Sequence, residues 1–240
     1  MLVYYEQEMR FMLLYYGVIL VAILALFFQA NVTSTFGKYS KIRSSRGYTG
    51  ADVARMLLSQ NGITDVSVQP IRGNLTDHYN PVNKTLNLSE SVYNSTSVAA
   101  LGVAAHETGH AVQHAKGYVP LLMRSAIFPA VSFSGKIAMP LFIVGILLAN
   151  FINSPILALI GAWLYVFVVI FQIITLPVEF NASARALTML RDYNFLDETE
   201  VRGARKVLSA AAMTYVAAAA ASILQFLRLL AIANSSRRNN

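Results

Sequence analysis

Four stretches of this chain are long, apolar and free of charged residues. They cover residues 11–28, 137–151, 156–176 and 207–226. A helix of about 20 apolar residues crosses the hydrocarbon core of a bilayer. The second stretch is shorter and can begin earlier, and the fourth is rich in alanine, so a buried soluble helix is its alternative. The pattern predicts a mainly α membrane protein with about four transmembrane helices.

Basic residues give the expected orientation of these spans. The chain is only 13% charged and carries a net charge of +7 at pH 7. Most lysines and arginines lie between spans one and two or between spans three and four, and four of them fall within residues 38–46. Because such residues are enriched in cytoplasmic loops, we expect the large loop in the cytoplasm and both termini outside. We expect anionic lipid headgroups as the partners of this charge, and no nucleic acid.

The spans divide the chain into six predicted segments, which are an anchor (1–30), a small α+β domain (31–136), a transmembrane hairpin (137–176), a connecting segment (177–206), a fourth span (207–230) and a disordered tail (231–240). A cleaved signal peptide is the alternative for the anchor, but Glu6 and Glu8 lie where such a peptide is basic. Asn153-Ser154-Pro155 joins the two spans of the hairpin, so its outer ends lie on one side of the membrane.

The domain of residues 31–136 contains short elements of both kinds. The local patterns predict a helix over residues 53–60 that stops at Asn61-Gly62, strands near 66–68 and 85–88, a turn at 80–83, and a helix from a Ser97 cap through His114 or beyond.

His106-Glu107-Thr108-Gly109-His110 lies on the last of these helices. Residues four apart share one helix face, so both imidazoles can hold one metal ion while Glu107 takes a proton from a metal-bound water. The bland interpretation is two surface histidines on an ordinary helix. The chain has no cysteine and only four histidines, so a further ligand must be a histidine or an acid.

A catalytic zinc takes three protein ligands, and the motif supplies two. His114 repeats the spacing of four, but eight helical residues rise about 12 Å, too far for the rings of His106 and His114 to converge. His78 stays open as a ligand. Glu179 is the strongest candidate, because a carboxylate beside an apolar stretch is costly without a partner. The other interpretation is an interfacial acid near a helix start, with Pro177 in the first turn of a new segment.

Further roles are assigned by residue type. Ser183 shares the helix face of Glu179 and could orient a ligating imidazole. Arg185, His78 and Tyr193 are candidates to stabilise an oxyanion. A strand of Thr85, Leu86, Asn87 and Leu88 is predicted to offer an open edge to an extended peptide.

Several strings resemble the YugP-like family of bacterial membrane zinc metallopeptidases. They are VAAHETGHAVQHAKGY, LPVEFNASARAL, GARKVLSAAAMTYVAAAAASIL, KYSKI, TGADVARMLL and LTDHYNPVNKTLNLSESVYNS, and the resemblance runs from residue 29 to residue 230. It implies a multi-pass membrane protein with a gluzincin-type, zincin-like domain at the membrane surface. It also implies one zinc ion (Zn²⁺) held by His106, His110 and Glu179, with Glu107 as catalytic base. The chain departs from the family at Asn181, usually acidic, and at Ala184, usually basic.

We therefore expect a zinc metalloendopeptidase of the bacterial cell membrane, with its active site facing the cytoplasm. Its substrates would be peptides or membrane-associated or misfolded proteins. An intramembrane protease would carry the histidine motif inside a membrane span. The apolar run before His106 covers only residues 98–105, which is too short to cross a membrane. A transporter is a weaker alternative, because the predicted spans show neither a clear inverted repeat nor paired ionisable residues at their centres. The rival outside enzymes is a membrane protein with a closed structural zinc, for which His78 would supply the fourth ligand.

Overall fold

The computed structural model describes residues 2–152 and 154–238, which form eight helices and one small sheet. The helices are α1 (Leu2–Tyr39), α2 (Gly50–Gln60), α3 (Glu90–Tyr93), α4 (Val98–Ala115), α5 (Val119–Ile152), α6 (Ile156–Leu164), α7 (Val166–Asp192) and α8 (Glu198–Arg238). The strands are β1 (Ser67–Ile71), β2 (His78–Asn80) and β3 (Thr85–Ser89). The predicted class, a mainly helical membrane protein with a small α+β part, is confirmed.

The chain divides into two compact units. Unit 1 comprises Met1–Phe27, Met123–Thr175 and Tyr215–Asn240, and unit 2 comprises Phe28–Leu122 and Leu176–Thr214. Unit 2 contains the sheet, α2 to α4 and every residue of the predicted metal site.

Four helical stretches are long and apolar enough to cross a membrane, as the sequence predicts. They are Met12–Tyr39, Val119–Ala149, Ile156–Asp192 and Glu198–Ser235. Within unit 1, α5 and α6 approach closely at Gly145 and Gly161. A Cβ atom on Gly145 would lie 2.2 Å from the backbone nitrogen of Ala158. Small residues at such crossings are typical of helices that pack in lipid.

The span boundaries differ from the predicted ones. The second span belongs to α5, which begins at Val119 and contains Pro129 and Pro140. The third is interrupted at Tyr165 and then continues as α7 to Asp192. Asn153, in the predicted hairpin link, lies outside the described residues.

Pro177 lies inside α7, so the prediction that it opens a new helical segment is wrong. A proline removes one backbone donor, but helices in apolar surroundings tolerate this loss when neighbouring groups satisfy the freed carbonyl. The fourth span likewise belongs to the longer α8, which continues to Arg238, whereas the sequence predicted a disordered tail from residue 231. Ala233 is buried in the same apolar cluster as Leu229, and this packing stabilises the helix beyond residue 231. Asn239 and Asn240 lie outside the described residues.

The predicted local elements of unit 2 are present. Thr49 caps α2 in a capping box with Asp52, and the helix ends at Asn61, followed by Gly62 with a φ of 71°. The hydroxyl oxygen of Ser97 accepts a hydrogen bond from the backbone N–H of Ala100 and caps α4. The Ser97 cap fixes the start of α4, the helix that carries the histidine motif.

The sheet has the order β1-β3-β2, with β1 parallel and β2 antiparallel to β3. The prediction that residues 85–88 offer an open edge is therefore wrong, because β3 is the central strand and all five of its residues are buried. The sequence also missed β2, since three residues are too few to show an alternating pattern. A single apolar core joins α2, β3, α4 and residues 186–208 of unit 2.

Candidate metal centre

Helices α4 and α7 cross in close contact at the histidine motif. Gly109 makes this possible, because a Cβ atom there would lie 2.7 Å from the carbonyl oxygen of Ala182 and 3.2 Å from its Cα. The crossing lies between His106 and His110 on one helix and next to Glu179 on the other. Gly109 thus sets how closely α7, which carries Glu179, can approach the two histidines.

The side chains of His106, His110 and Glu179 converge. The Oε2 atom of Glu179 lies 3.3 Å from Nε2 of His106 and 3.6 Å from Nε2 of His110. The ligand atoms of the three residues all lie within 4.8 Å of one another. Glu179 is only 3% exposed. Its carboxylate is therefore largely removed from water and contacts two imidazoles instead.

The separations of Glu179 Oε2 from the two histidine Nε2 atoms are those expected around a single zinc ion. Zinc binds nitrogen and oxygen at about 2.0–2.2 Å with tetrahedral angles, which separates neighbouring donor atoms by about 3.3–3.6 Å. The two distances from Glu179 fall in this range. The structure thus brings Glu179, the acid expected from the sequence, together with both histidines.

In both histidines, Nδ1, the ring nitrogen that does not face Glu179, has a hydrogen-bond partner. Nδ1 of His106 lies 3.1 Å from the hydroxyl oxygen of Ser183, which is the hydrogen bond predicted for that serine. Nδ1 of His110 lies 3.0 Å from Oε1 of Gln113. In each case Nε2 is the nitrogen that faces the carboxylate of Glu179, so Nε2 is the one available to a metal ion.

The pKa of the His110 imidazole reflects the carboxylate of Glu179 beside it. Burial alone would lower the pKa of this imidazole, but the hydrogen bond and the negative charge of Glu179 outweigh burial, and the pKa is raised. The site therefore favours positive charge at this point, as a cation-binding site should.

Glu107 lies on α4 next to this group and is 8% exposed. Its Oε2 accepts a hydrogen bond of 2.9 Å from the backbone N–H of Tyr79 in β2. The hydroxyl of Tyr79 lies 2.8 Å from Nδ1 of His114. Sequence reasoning missed Tyr79, because nothing in a three-residue strand indicates a backbone contact to a distant carboxylate.

His78 and His114 are not part of the metal group among the described residues. Nδ1 of His78 donates to the carbonyl oxygen of Thr76 at 2.9 Å, and its Nε2 lies 3.1 Å from Nδ2 of Asn87. His114 faces Tyr79 instead. Both histidines therefore lie apart from the group that His106, His110 and Glu179 form, in keeping with the helical-rise argument about His114.

Arg185, a predicted oxyanion stabiliser, is engaged elsewhere. Its Nε donates a 2.8 Å hydrogen bond to Oδ1 of Asn181, four residues earlier on α7. Tyr193 lines a cavity together with Arg185 and Lys116. The assignment of Arg185 or Tyr193 as an oxyanion stabiliser stays a prediction.

Comparison with known proteins gives two matches. A model of the family described as "Putative neutral zinc metallopeptidase" matches residues 14–234. The chain is also 48% identical over 214 residues to "Putative membrane protease YugP" of Bacillus subtilis (strain 168), a match that covers 88% of this chain and 92% of that protein. No solved structure shows significant similarity. The family expected from the quoted strings is confirmed.

Proposed function

Because the chain belongs to this family of neutral zinc metallopeptidases, we propose that it is a membrane endopeptidase that hydrolyses peptide bonds with one zinc ion per chain. The observation that carries the proposal is the separation of Glu179 Oε2 from the two histidine Nε2 atoms, 3.3 and 3.6 Å. His106, His110 and Glu179 would hold the metal.

The proposed chemistry divides between the metal and Glu107. Zinc held by His106, His110 and Glu179 would supply Lewis acidity, lowering the pKa of a coordinated water toward about 7 and polarising the scissile carbonyl. The carboxylate of Glu107 would accept a proton from the attacking water and return it to the leaving amine. The backbone N–H of Tyr79 donates a hydrogen bond to Oε2 of Glu107 and so holds the carboxylate in one orientation.

The number of candidate protein ligands favours a catalytic over a structural zinc. A structural zinc is closed by four protein ligands, whereas a catalytic one has three and an open position. Among the described residues the metal group has three members. His78, the fourth ligand of the rival hypothesis, is held by Thr76 and Asn87. This supports an open position for water.

We place the substrate beside β2 rather than β3. β2 is an edge strand, and its Tyr79 contacts Glu107 directly. An extended peptide alongside this edge would have its scissile bond next to the base. His78, which is exposed on the same strand, is the retained candidate for the oxyanion.

The proposed location is the bacterial cell membrane with the site facing the cytoplasm. Four helices suited to crossing a membrane support the location. The basic residues between the spans support the orientation. The Bacillus subtilis relative is named a membrane protease, and membrane-associated or misfolded proteins are the proposed substrates.

A metal-removal experiment tests the proposal. The protein, purified in detergent, should contain about one zinc per chain and cleave a fluorescent casein. A chelator should abolish cleavage, and stoichiometric zinc should restore it. A zinc-loaded protein that cleaves neither casein nor a peptide library would favour the structural-zinc rival. A protein without zinc would remove both hypotheses.

A further inference from the structure

We propose that Gln113 is a positioning residue that fixes His110 and the backbone beside Glu179 at once. The inference rests on the proposed metal site and assigns a role to residues outside the histidine motif. Gln113 lies on α4 three residues after His110 and is completely buried. A buried amide is costly unless its donors and acceptor are all used.

The amide of Gln113 is bonded in three directions. Its Nε2 donates to the carbonyl oxygen of Val178 at 2.8 Å and to Oδ1 of Asn181 at 3.0 Å. Its Oε1 lies 3.0 Å from Nδ1 of His110. Asn181 in turn accepts from Nε of Arg185 at 2.8 Å. We call His110, Gln113, Asn181 and Arg185, with the Val178 carbonyl, the amide network.

The direction of every hydrogen bond in the amide network is forced from its two ends. The carbonyl of Val178 can only accept, so the NH₂ group of Gln113 must face it. The guanidinium of Arg185 can only donate, so the oxygen of Asn181 must face it. The oxygen of Gln113 then points at His110, whose Nδ1 must carry the proton.

This forced polarity prepares His110 for the metal. A neutral imidazole with its proton on Nδ1 has its lone pair on Nε2, and Nε2 is the atom that lies 3.6 Å from Glu179. The amide network therefore selects the ligating tautomer and fixes the plane of the ring before any ion binds. Partners of this kind typically change metal affinity by about 10- to 100-fold.

The same amide reaches the second ligand-bearing helix. Val178 directly precedes Glu179 on α7, and Pro177, which has no N–H, lies just before it. By binding the Val178 carbonyl, Gln113 ties α4 to α7 within one residue of the third ligand. One side chain thus orients His110 and holds the backbone that presents Glu179.

Asn181 takes part in the amide network only as an acceptor. Both of its partners donate to Oδ1. An aspartate at this position would accept the same two hydrogen bonds, with an added charge attraction to Arg185. A leucine of similar size would accept neither. The pair Asn181→Asp and Asn181→Leu therefore separates hydrogen-bond polarity from packing.

The experiment measures zinc affinity by competition with a chromophoric chelator, and the absorption spectrum of the cobalt-substituted protein. Gln113→Met, nearly equal in volume, should weaken zinc binding by about 10- to 100-fold and alter the cobalt spectrum. Asn181→Leu should weaken binding in the same direction, and Asn181→Asp should stay within a few-fold of wild type. Gln60→Met, at an exposed glutamine of α2, is the matched control and should change nothing.

The outcomes distinguish this inference from the proposed function. If wild type binds no zinc, the proposed function fails. If wild type binds zinc and Gln113→Met binds it equally well with an unchanged cobalt spectrum, the positioning role fails alone. If Gln113→Met does not fold, the Asn181 pair decides: equal losses in the aspartate and leucine variants would overturn the assigned polarity.

Discussion

At the scale of single residues, Glu179 joins the two histidines into a site. It is buried, and its Oε2 faces both Nε2 atoms. Glu179→Ala should lower zinc affinity by more than about 100-fold, since it removes a direct ligand rather than an outer partner. Glu198→Ala, which removes an exposed carboxylate paired with Arg191, is the matched control. Full zinc affinity in Glu179→Ala would refute the third-ligand assignment.

The raised pKa of His110 predicts a pH dependence of the metal-free protein. The pKa is above the unfolded value because of Glu179. This contribution to stability is complete below the unfolded pKa, near 6.5, and is lost as pH rises through the folded pKa. Thermal denaturation in excess chelator should show this loss on the alkaline side. Glu179→Ala should flatten the curve, and an unchanged slope would contradict the assigned cause.

Sequence alone predicts the proposed metal ligands better than the residues proposed to orient them. His106 and His110 follow from helical spacing, and Glu179 from the cost of a carboxylate beside an apolar run. Gln113 gave a weaker signal, an amide one turn after a ligand in an alanine-rich helix. Its direction depends on the Val178 carbonyl, 65 residues away in the chain, which no local pattern encodes.

At the scale of elements, the contact of α4 with α7 depends on a glycine. Gly109→Ala would place a Cβ atom 2.7 Å from backbone of α7, so one helix must move. We expect a loss of about 1–3 kcal/mol in the free energy of unfolding, typical of overpacking, and weaker zinc binding because Glu179 moves with α7. Both quantities are measured on the same detergent-solubilised protein.

The control for this prediction is a glycine on α1. Gly37→Ala meets no atom within 4 Å and should raise helix stability by roughly 0.5–1 kcal/mol. Equal zinc affinity in Gly109→Ala and Gly37→Ala would show that the close approach of α4 and α7 does not position the ligands.

Element boundaries were predictable where side chains cap the backbone locally. The cap of α4 at Ser97 and the end of α2 before Gly62 were found from the sequence, whereas the start of α2 at Gly50, capped by Thr49, was not. The course of the chain at Pro177 was not, because helix continuation there depends on the surroundings rather than on the proline. The order of the sheet was not predicted either. β1 and β2 pair with opposite edges of β3, and the strand sequences do not specify these pairings.

At the scale of the whole molecule, the number of spans was predictable because apolar length is a property of composition. The orientation of the spans stays a prediction. The chain contains no cysteine, so single cysteines can report it without background. Val82→Cys lies at a 92% exposed position of the large loop, and Ser154→Cys lies between α5 and α6.

A membrane-impermeant maleimide applied to intact cells should label Ser154→Cys directly. It should label Val82→Cys only after the membrane is permeabilised, because the large loop is expected in the cytoplasm. The opposite pattern would place the metal group outside the cell and would require a different class of substrates.

The most direct test of the account is the peptide cleavage rate of Glu107→Gln at zinc occupancy equal to that of wild type. Glutamine preserves the shape of the side chain but cannot accept the water proton. The account predicts full zinc binding and a fall in kcat/KM of at least about 100-fold, the lower range for loss of a general base. Cleavage at the wild-type rate by zinc-loaded Glu107→Gln would contradict the proposed mechanism.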